Sequence, residues 1–596
     1  MNSPSKLHPN PTSLIGHRTR YSACLLIVLA CAADGLAQKE EVAVNEVSQS
    51  VVGPIDLALT CPSRTGQGDQ PYRLFLPSAY DGKRKVPLFI AMHGTGGNQN
   101  KYFDHPGYGD GIYKREAEKR GIAILCPLGT EERGGSLPWQ RATEWRGVGE
   151  NNVMMAIEDV CQRFLIDEDR IICSGQSMGG SGTHYLCVRY PDLFAAGIPL
   201  ASTYEHITLM PNLRHVPMFY VQGANDWPIY AQDGPIPLTA ELKRLGFDAT
   251  LWMVPGVGHN TMEVSTEKVL DWALEQRLVK APKRVTFRAY LPIHGRAYWT
   301  EIQEIDEIGN FAEIDAQVEA DNQISVALRN TVRAAIRPEP SLLDLAAPIT
   351  LLVNGQKLFQ GECSIQEEIR LVKEGDAWTA AIGPRKPRSR TAYRTHKIGV
   401  AVDSPNWEDK AETTMGNWTC DAIRDATGAD IAIQTQNHFR GIPFQPGQSI
   451  YLVDLINWLR PSERRLVTFD ISGADLVKIF ELNLLDSPSK RKQFMVHVSG
   501  CRYAFDLSAP LGQRITSTDL DPDRIYRVAC SSNVLTRTDT LELADLRSKI
   551  DFEWHEPTTV SSAWRFIEKS GGKVTSKLEG RIQDVTPSEQ RSSASK

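Results

Sequence analysis

The chain has 596 residues, of which 41% are hydrophobic and 23% charged, as in an ordinary soluble globular protein. A chain of this length is too long for one hydrophobic core, so about three or four domains are expected. The net charge of −6 offers no general basic surface, which argues against nucleic acid as a partner.

The N-terminal segment 1–38 is typical of an export signal peptide. Basic residues precede an apolar run at 23–33 that is too short to cross a bilayer as a mature helix. Small residues then favour cleavage near Ala37, which predicts a secreted or periplasmic protein. A second interpretation takes residues 28–31 as a bacterial lipobox, which would place a lipid anchor on Cys31. No other stretch of the sequence is long and apolar enough to span a membrane.

Strand and helix patterns alternate between residues 71 and 280. Short apolar runs that predict strands alternate with apolar residues at helical spacing. Such alternation predicts a mostly parallel sheet covered by helices on both faces. The predicted strands are 87–94, 121–127, 170–175, 217–223 and 249–256, and the clearest predicted helices are 153–164 and 267–276.

The stretch CSGQSMGGSG contains a G-x-S-x-G motif centred on Ser177. It follows a predicted strand and precedes a predicted helix, which is the setting of a nucleophile elbow. Asp226 and His259 each follow a later predicted strand, in the sequences QGANDWP and PGVGHN. The order Ser, Asp, His predicts a catalytic triad in which His259 is the base and Asp226 orients it.

An acyl-transfer site also needs hydrogen-bond donors for the oxyanion. The backbone N–H of Met178 directly follows the nucleophile and is the first candidate. The loop MHGTGGN after an early predicted strand supplies the second candidate, the N–H of Thr95, with Gly94 next to it. Four aromatic residues are candidates for the wall of an acyl pocket, namely Trp139, Trp145, Tyr185 and Trp227.

These motifs resemble those of secreted serine esterases of the polyhydroxybutyrate depolymerase, feruloyl esterase and dienelactone hydrolase-like group, which borders on prolyl oligopeptidase-type peptidases. The resemblance rests on the stretches YRLFLPSAYDGK, PLFIAMHGTGGN, IDEDRIICSGQSMGG, YPDLFAA, GAND and GVGH. It implies an α/β-hydrolase fold and an acyl-enzyme on Ser177. It leaves open whether the substrate is an ester or an amide.

After Pro282 the strand patterns follow one another without a helical segment, and Asn354-Gly355 is a hairpin signal. Residues 283–383 are therefore predicted to form a small β-sandwich. The segment 384–397 is rich in Lys, Arg and Pro and is predicted to be a basic linker.

The stretch ETTMGNWTCDAIRDATGADIAI begins a second resemblance, to the C-terminal domain of 5′-nucleotidases, which extends over residues 396–560. In that family the domain binds the nucleoside. The family's N-x-G-G-x-R loop appears here as TQNHFRG, so Asn437 and Arg440 are candidate ligand-binding residues. His438 and Phe439 replace the two glycines, and bulky side chains there argue against the same nucleoside pose.

No cofactor or metal is expected from the sequence. The metallophosphatase motifs D-x-H and G-N-H-[DE] are absent upstream of residue 396, so the family's metal route to nucleotide hydrolysis is not expected. Nine cysteines lie outside the signal segment and form no C-x-x-C pair.

The sequence therefore predicts an exported serine esterase with two appended non-catalytic domains, acting on an ester substrate, with a polysaccharide or a polyester as the candidate carrier of that ester. The alternatives are a prolyl oligopeptidase-type peptidase, a cell-surface binding protein with a vestigial hydrolase domain, and a nucleotide phosphohydrolase. The predicted divisions are a signal peptide at 1–38, an α/β-hydrolase domain at 39–282, a β-sandwich at 283–383, a linker at 384–397, an α+β 5′-nucleotidase C-terminal-like domain at 398–570 and a loose tail at 571–596.

Overall fold

The structure is a computed structural model. The predicted signal segment with Cys31, most of the basic linker, Trp139 and Arg440 lie outside the residues that it describes. Among the described residues no helix combines the length and the apolar character that a membrane span requires. The described residues are 51–63, 68–104, 111–131, 141–202, 207–227, 231–232, 234–386, 396–406, 411–439, 444–459, 464–532, 534 and 541–588.

The first part of the chain forms an eight-stranded sheet in the order β1-β2-β4-β3-β5-β6-β7-β8. The strands from β3 to β8 pair in parallel, while β1 and β2 add an antiparallel edge. This sheet confirms the predicted α/β fold class. The strands are Ile55–Cys61, Gln70–Leu76, Val86–Met92, Ala123–Pro127, Ile166–Gln176, Ala196–Leu200, Met218–Gly223 and Ala249–Val254.

Helices cover both faces of this sheet. Alternate residues of β3 belong to different apolar clusters, because successive side chains of a strand point to opposite faces: Leu88 and Ile90 lie in one, Phe89 and Ala91 in the other. Both faces are thus buried, which explains the continuous apolar runs in the sequence. The helices are α1 (Lys101–Asp104), α2 (Ile112–Arg120), α3 (Val148–Arg163), α4 (Met178–Arg189), α5 (Pro235–Arg244) and α6 (Met262–Leu274).

The next ten strands form two five-stranded sheets with one apolar cluster between them. One sheet has the order β10-β11-β14-β17-β18 and the other β16-β15-β13-β12-β9. Asn354 and Gly355, both with positive φ, form the turn between β15 and β16. The strands β9 to β18 are Arg284–Ala289, Arg296–Ala297, Thr300–Ile305, Ala312–Val318, Gln323–Arg329, Thr331–Ile336, Ile349–Val353, Gln356–Gly361, Glu367–Glu374 and Ala377–Pro384.

The last part of the chain mixes helices with three sheets, ordered β21-β19-β28, β23-β20-β26-β22-β27 and β25-β24-β29. The strands β19 to β29 are Lys397–Ala401, Ile431–Thr435, Ser449–Tyr451, Arg465–Ser472, Val496–Ser499, Tyr503–Phe505, Ile515–Thr518, Ile525–Ser531, Glu553–Thr558, Lys573–Val574 and Ile582–Asp584. The helices are α7 (Thr414–Thr427), α8 (Leu452–Trp458), α9 (Gly473–Asn483), α10 (Pro488–Phe494), α11 (Leu541–Ser548) and α12 (Thr559–Lys569).

The described residues 571–588 differ from the loose tail that the composition predicts for 571–596. Their strands β28 and β29 pair in parallel with β19 and β24. Val574 and Ile582 are buried, and Arg581 makes a two-pronged ion pair with Asp421, with N–O distances of 2.8 and 2.9 Å. Burial of a few apolar side chains and this ion pair hold a segment that is otherwise polar.

Candidate active site

Ser177 lies at the sharp turn between β5 and α4. Its φ of 59° and ψ of −119° belong to a region that non-glycine residues rarely adopt and that costs about 1–3 kcal/mol. Two backbone hydrogen bonds hold the turn: the Ser177 N–H donates to the carbonyl of Leu200 at 2.9 Å, and the Ser177 carbonyl accepts from the N–H of Ser181 at 3.0 Å. The serine therefore sits at the carboxyl edge of the parallel sheet, in the strained conformation of a nucleophile elbow.

The two motif glycines are required by backbone packing. A Cβ on Gly175 would lie 2.6 Å from the carbonyl oxygen of Gly179, and a Cβ on Gly179 would lie 2.0 Å from the carbonyl oxygen of Met92. These contacts are with main-chain atoms of β3 and α4, which cannot rotate away. The G-x-S-x-G spacing thus lets helix α4 approach the neighbouring strand closely.

Asp226 and His259 lie in the loops after β7 and β8, where their side chains meet. The Nδ1 atom of His259 lies 2.9 Å from Oδ2 of Asp226, whose side chain is only 2% exposed. Because a carboxylate only accepts hydrogen bonds, Nδ1 carries the proton in this pair. The His259 side chain is 35% exposed.

Two glutamines that the sequence analysis did not single out support this pair. Gln222 Nε2 donates to Asp226 Oδ2 at 2.8 Å, and Gln176 Nε2 donates to the carbonyl of His259 at 2.8 Å. The N–H of Trp227 donates to the other carboxylate oxygen at 2.8 Å. In the sequence, the only indication of the role of these glutamines is their position: Gln176 precedes Ser177, and Gln222 lies shortly before Asp226.

The loop after β3 lies against the nucleophile. A Cβ on Gly94 would lie 3.3 Å from the Cβ of Ser177, so this glycine allows the loop to approach the serine. Thr95 is the next residue and is exposed, while Met178 is the first residue of α4. The N–H groups of a first helical turn lack partners within the helix. Gly94 and Met178 thus lie beside Ser177, and the oxyanion roles of the Met178 and Thr95 N–H groups stay a prediction.

His93 fixes the start of this loop. Its Nε2 accepts from the N–H of Gly129 at 2.9 Å, and its Nδ1 donates to the carbonyl of Gly94 at 2.9 Å. Both bonds together require a neutral ring. Burial holds the pKa of His93 at about 4, below its ordinary value of 6.5.

The low pKa of His93 predicts loss of stability in acid. The unfolded chain binds the proton of this imidazole more tightly than the folded chain does. The contribution of neutral His93 to the free energy of unfolding is therefore complete above pH 6.5 and falls as the pH drops towards 4. From pH 7 to 5 this residue alone is expected to remove about 2 kcal/mol. Thermal unfolding at pH 5, 6 and 7 should show a flatter pH dependence in His93→Asn than in the wild type; equal slopes would contradict the assignment.

Among the candidate pocket aromatics that the structure describes, Trp227 is the exposed one. It is 65% exposed, and its ring centroid lies 5.9 Å from that of His259. Trp145 and Tyr185 are fully buried: the Trp145 indole N–H donates to the carbonyl of His93, and the Tyr185 hydroxyl donates to Glu150. These two residues are therefore part of the packing under the site, not of an open acyl pocket.

The candidate nucleoside loop is filled by its own side chains. His438 and Phe439, which stand where the family has glycines, are both buried, and the Phe439 ring lies 5.5 Å from that of His497. The Thr435 hydroxyl donates to Oδ1 of Asn437 at 2.6 Å. In the described part of this loop, buried side chains thus stand where the family has glycines, and nucleoside binding through Asn437 stays a prediction.

Two family models match separate parts of the chain. Residues 396–544 match the 5′-nucleotidase, C-terminal domain, and residues 118–213 match the prolyl oligopeptidase family. The second match includes the elbow at Ser177. Both resemblances indicated by the motifs are confirmed.

Two fungal esterases are similar to the first part of the chain. An acetylxylan esterase of Coprinopsis cinerea is 27% identical over 136 residues, which are 22% of this chain and 34% of that protein. Feruloyl esterase B of Talaromyces funiculosus is 24% identical over 204 residues, 32% of this chain and 56% of that protein. The chain thus spans about a third and about half of the length of these curated relatives.

Similarity to solved structures extends over a part of the chain as well. The 5′-nucleotidase precursor of Thermus thermophilus is 19% identical at a TM-score of 0.30, covering 40% of this chain and 54% of that one.

Proposed function

We propose that residues 39–282 form a serine hydrolase domain that cleaves a carboxylic ester through Ser177, His259 and Asp226. One observation carries the proposal: a hydrogen-bonded Asp226–His259 pair and a strained serine turn lie at the same edge of one parallel sheet. This arrangement is the geometry of nucleophilic catalysis by a base-activated hydroxyl. The likeness to acetylxylan and feruloyl esterases supports an ester as the substrate.

The proposed reaction has two halves. The Ser177 Oγ attacks the ester carbonyl carbon while Nε2 of His259 takes the hydroxyl proton, and the carbonyl oxygen becomes an oxyanion facing the N–H groups of Met178 and Thr95. The C–O bond to the alcohol then breaks, and His259 gives its proton to the leaving alkoxide. Water next attacks the acyl-enzyme with His259 again as base, which releases the carboxylic acid and restores Ser177.

We further propose that the substrate is an ester attached to a polysaccharide and that the protein is exported. The similarity to an acetylxylan esterase supports a polysaccharide as the carrier, and the similarity to a feruloyl esterase supports an ester. The signal-like segment 1–38 supports export. The proposed division leaves the chemistry to residues 39–282, and residues 283–383 and 398–570 act as non-catalytic domains.

Labelling by a fluorophosphonate tests the nucleophile. The wild type should be labelled at one site, on the peptide that contains Ser177, and Ser177→Ala should not be labelled. Ser78→Ala, at an exposed serine of the same region, is the matched control and should be labelled like the wild type. Absence of labelling in a folded wild type would contradict an active serine hydrolase.

A substrate panel tests the reaction class. Acetyl and hydroxycinnamoyl esters of p-nitrophenol and of xylo-oligosaccharides should be hydrolysed, and all turnover should disappear in Ser177→Ala. Faster cleavage of peptide p-nitroanilides than of esters would instead support the peptidase alternative. Turnover of a nucleoside monophosphate that depends on Ser177 would overturn the proposed division between the two regions.

A further inference from the structure

Trp145 is a buried side chain that packs between three segments around Ser177. Its indole N–H donates to the carbonyl of His93 at 3.0 Å, at the start of the loop that carries Gly94 and Thr95. Its ring occupies space left by two glycines: a Cβ on Gly129 or on Gly182 would lie 2.5 Å from a Trp145 side-chain atom. The Trp145 side chain therefore contacts this loop, the loop after β4 and helix α4.

The turn that presents Trp145 is strained. Glu144 and Trp145 have φ values of 52° and 58°, and Gly147 has a φ of 53°. Left-handed backbone is unfavourable at a non-glycine residue, and here two such residues follow one another. Such a turn persists only where surrounding contacts determine it.

One of these contacts comes from a residue more than 300 positions later. The N–H of Val148, at the start of helix α3, donates to Oδ1 of Asn457 at 3.0 Å, over a sequence separation of 309 residues. The N-cap of α3 is Gly147, which has no side chain to accept this bond. A Cβ on Gly147 would lie 2.0 Å from the same Oδ1 atom, so the Asn457 amide is in close contact with the turn. Asn457 thus serves as the cap that the local sequence lacks.

Helix α8, which carries Asn457, is itself firmly anchored. The next residue, Trp458, is buried and packs against Phe444 with ring centroids 3.7 Å apart. Trp458, Phe444 and Trp145 are members of one continuous apolar cluster. The amide is therefore held at the turn by packing on both sides of the contact.

We propose that Asn457 is a positioning residue for the reaction at Ser177, acting through the 143–148 turn and Trp145 to hold the loop of His93, Gly94 and Thr95 against the nucleophile. The inference rests on the proposed ester hydrolysis. The 5′-nucleotidase C-terminal-like region then supports the reaction without contacting the substrate, by fixing the oxyanion loop of the hydrolase region. Oxyanion contacts act in the transition state, so loss of this support lowers kcat with little effect on KM.

The test compares two substitutions at one position. Asn457→Ala removes the acceptor and is expected to lower kcat at least tenfold with KM changed less than about twofold, because small misplacements of reacting groups have large rate effects. Asn457→Asp keeps an acceptor, and a negative charge at the N-terminus of α3 is favourable, so kcat should stay within about threefold of the wild type. Asn483→Ala, at an amide bonded within its own helix α9, is the control for general destabilisation and should keep wild-type kcat.

A double-mutant cycle tests whether Asn457 and Trp145 affect kcat through the same chain of contacts. Trp145→Phe removes the indole N–H and should lower kcat like Asn457→Ala. The double variant should be no slower than the slower single variant, because both changes interrupt one chain of contacts. Three outcomes would overturn the proposal. The losses of kcat in the two single variants multiply in the double variant, Asn457→Ala keeps the wild-type kcat, or Asn483→Ala loses as much kcat as Asn457→Ala.

Hydrogen exchange gives a readout that does not depend on turnover. Amides in peptides covering residues 92–98 should exchange faster in Asn457→Ala than in Asn457→Asp or the wild type. Unchanged exchange there would overturn the positioning role even if the wild type hydrolyses esters. Suppose that exchange is faster in Asn457→Ala but the wild type neither hydrolyses esters nor reacts with a fluorophosphonate. The coupling between Asn457 and the 92–98 loop would then stand, and the proposed function would be rejected.

Discussion

Replacing Asp226 with asparagine is expected to lower kcat for an ester by about 10⁴-fold, with little change in KM. The carboxylate accepts the Nδ1 proton of His259 at 2.9 Å and is almost completely buried. An asparagine amide turned towards the ring would donate to Nδ1 and place the proton on Nε2, where the lone pair for Ser177 is needed. Steady-state kinetics on a p-nitrophenyl ester measures the effect.

The control for this prediction is Asp271→Asn. Asp271 lies on the exposed side of helix α6 and pairs with Arg120 at 2.6 Å, away from the triad. Its kcat should stay within about twofold of the wild type, because an exposed ion pair contributes little. If Asp226→Asn kept more than about a tenth of wild-type kcat, Asp226 would not be the residue that orients His259.

Gly179→Ala is expected to destabilise the hydrolase region by about 3 kcal/mol or more and to abolish measurable ester hydrolysis. The new Cβ would lie 2.0 Å from the carbonyl oxygen of Met92 and 3.1 Å from that of His93. Relief requires α4 to move away from β3, and this motion also shifts Ser177 from the loop of Gly94. Thermal unfolding should show a lower midpoint of about 6 °C or more.

Gly246→Ala is the matched control for Gly179→Ala. Gly246 follows helix α5 with a φ of 76°, and nothing lies within 4 Å of the position of its Cβ. Its substitution should cost about 1 kcal/mol, the cost of left-handed backbone without a collision. Equal destabilisation by the two substitutions would mean that conformational strain, and not the clash with β3, explains the glycine in the motif.

Much of the α/β fold and the placement of the candidate triad residues could be predicted from the sequence, because the signals are local. The fully buried parallel strands are continuous apolar runs; Ser177 directly follows one of them, and Asp226 and His259 lie a few residues after two others. Their convergence then depends only on the rule that parallel strands end at one edge. The antiparallel edge of β1 and β2 was not predicted as such, since half-exposed strands have weaker apolar patterns.

The contacts that the sequence did not predict connect residues far apart in the chain. Nothing near Asn457 indicates that its amide caps a helix that begins at Val148, because the missing cap and its replacement are separated by 309 residues. Trp145 was predicted to line a pocket from its residue type alone. Its burial depends on the absence of a Cβ at Gly129 and Gly182, which only the three-dimensional packing displays.

The pairing of β28 with β19 and of β29 with β24 has a consequence for biogenesis. Two of the small sheets of the last region remain incomplete until residues 574 and 584, respectively, have been synthesised, whereas every strand of the eight-stranded sheet is present once residue 254 has been made. Domains made first generally fold first as a chain emerges from the ribosome. The eight-stranded sheet can therefore form during synthesis before the region that carries Asn457 is complete, and the hydrogen bond between Val148 and Asn457 can form only afterwards.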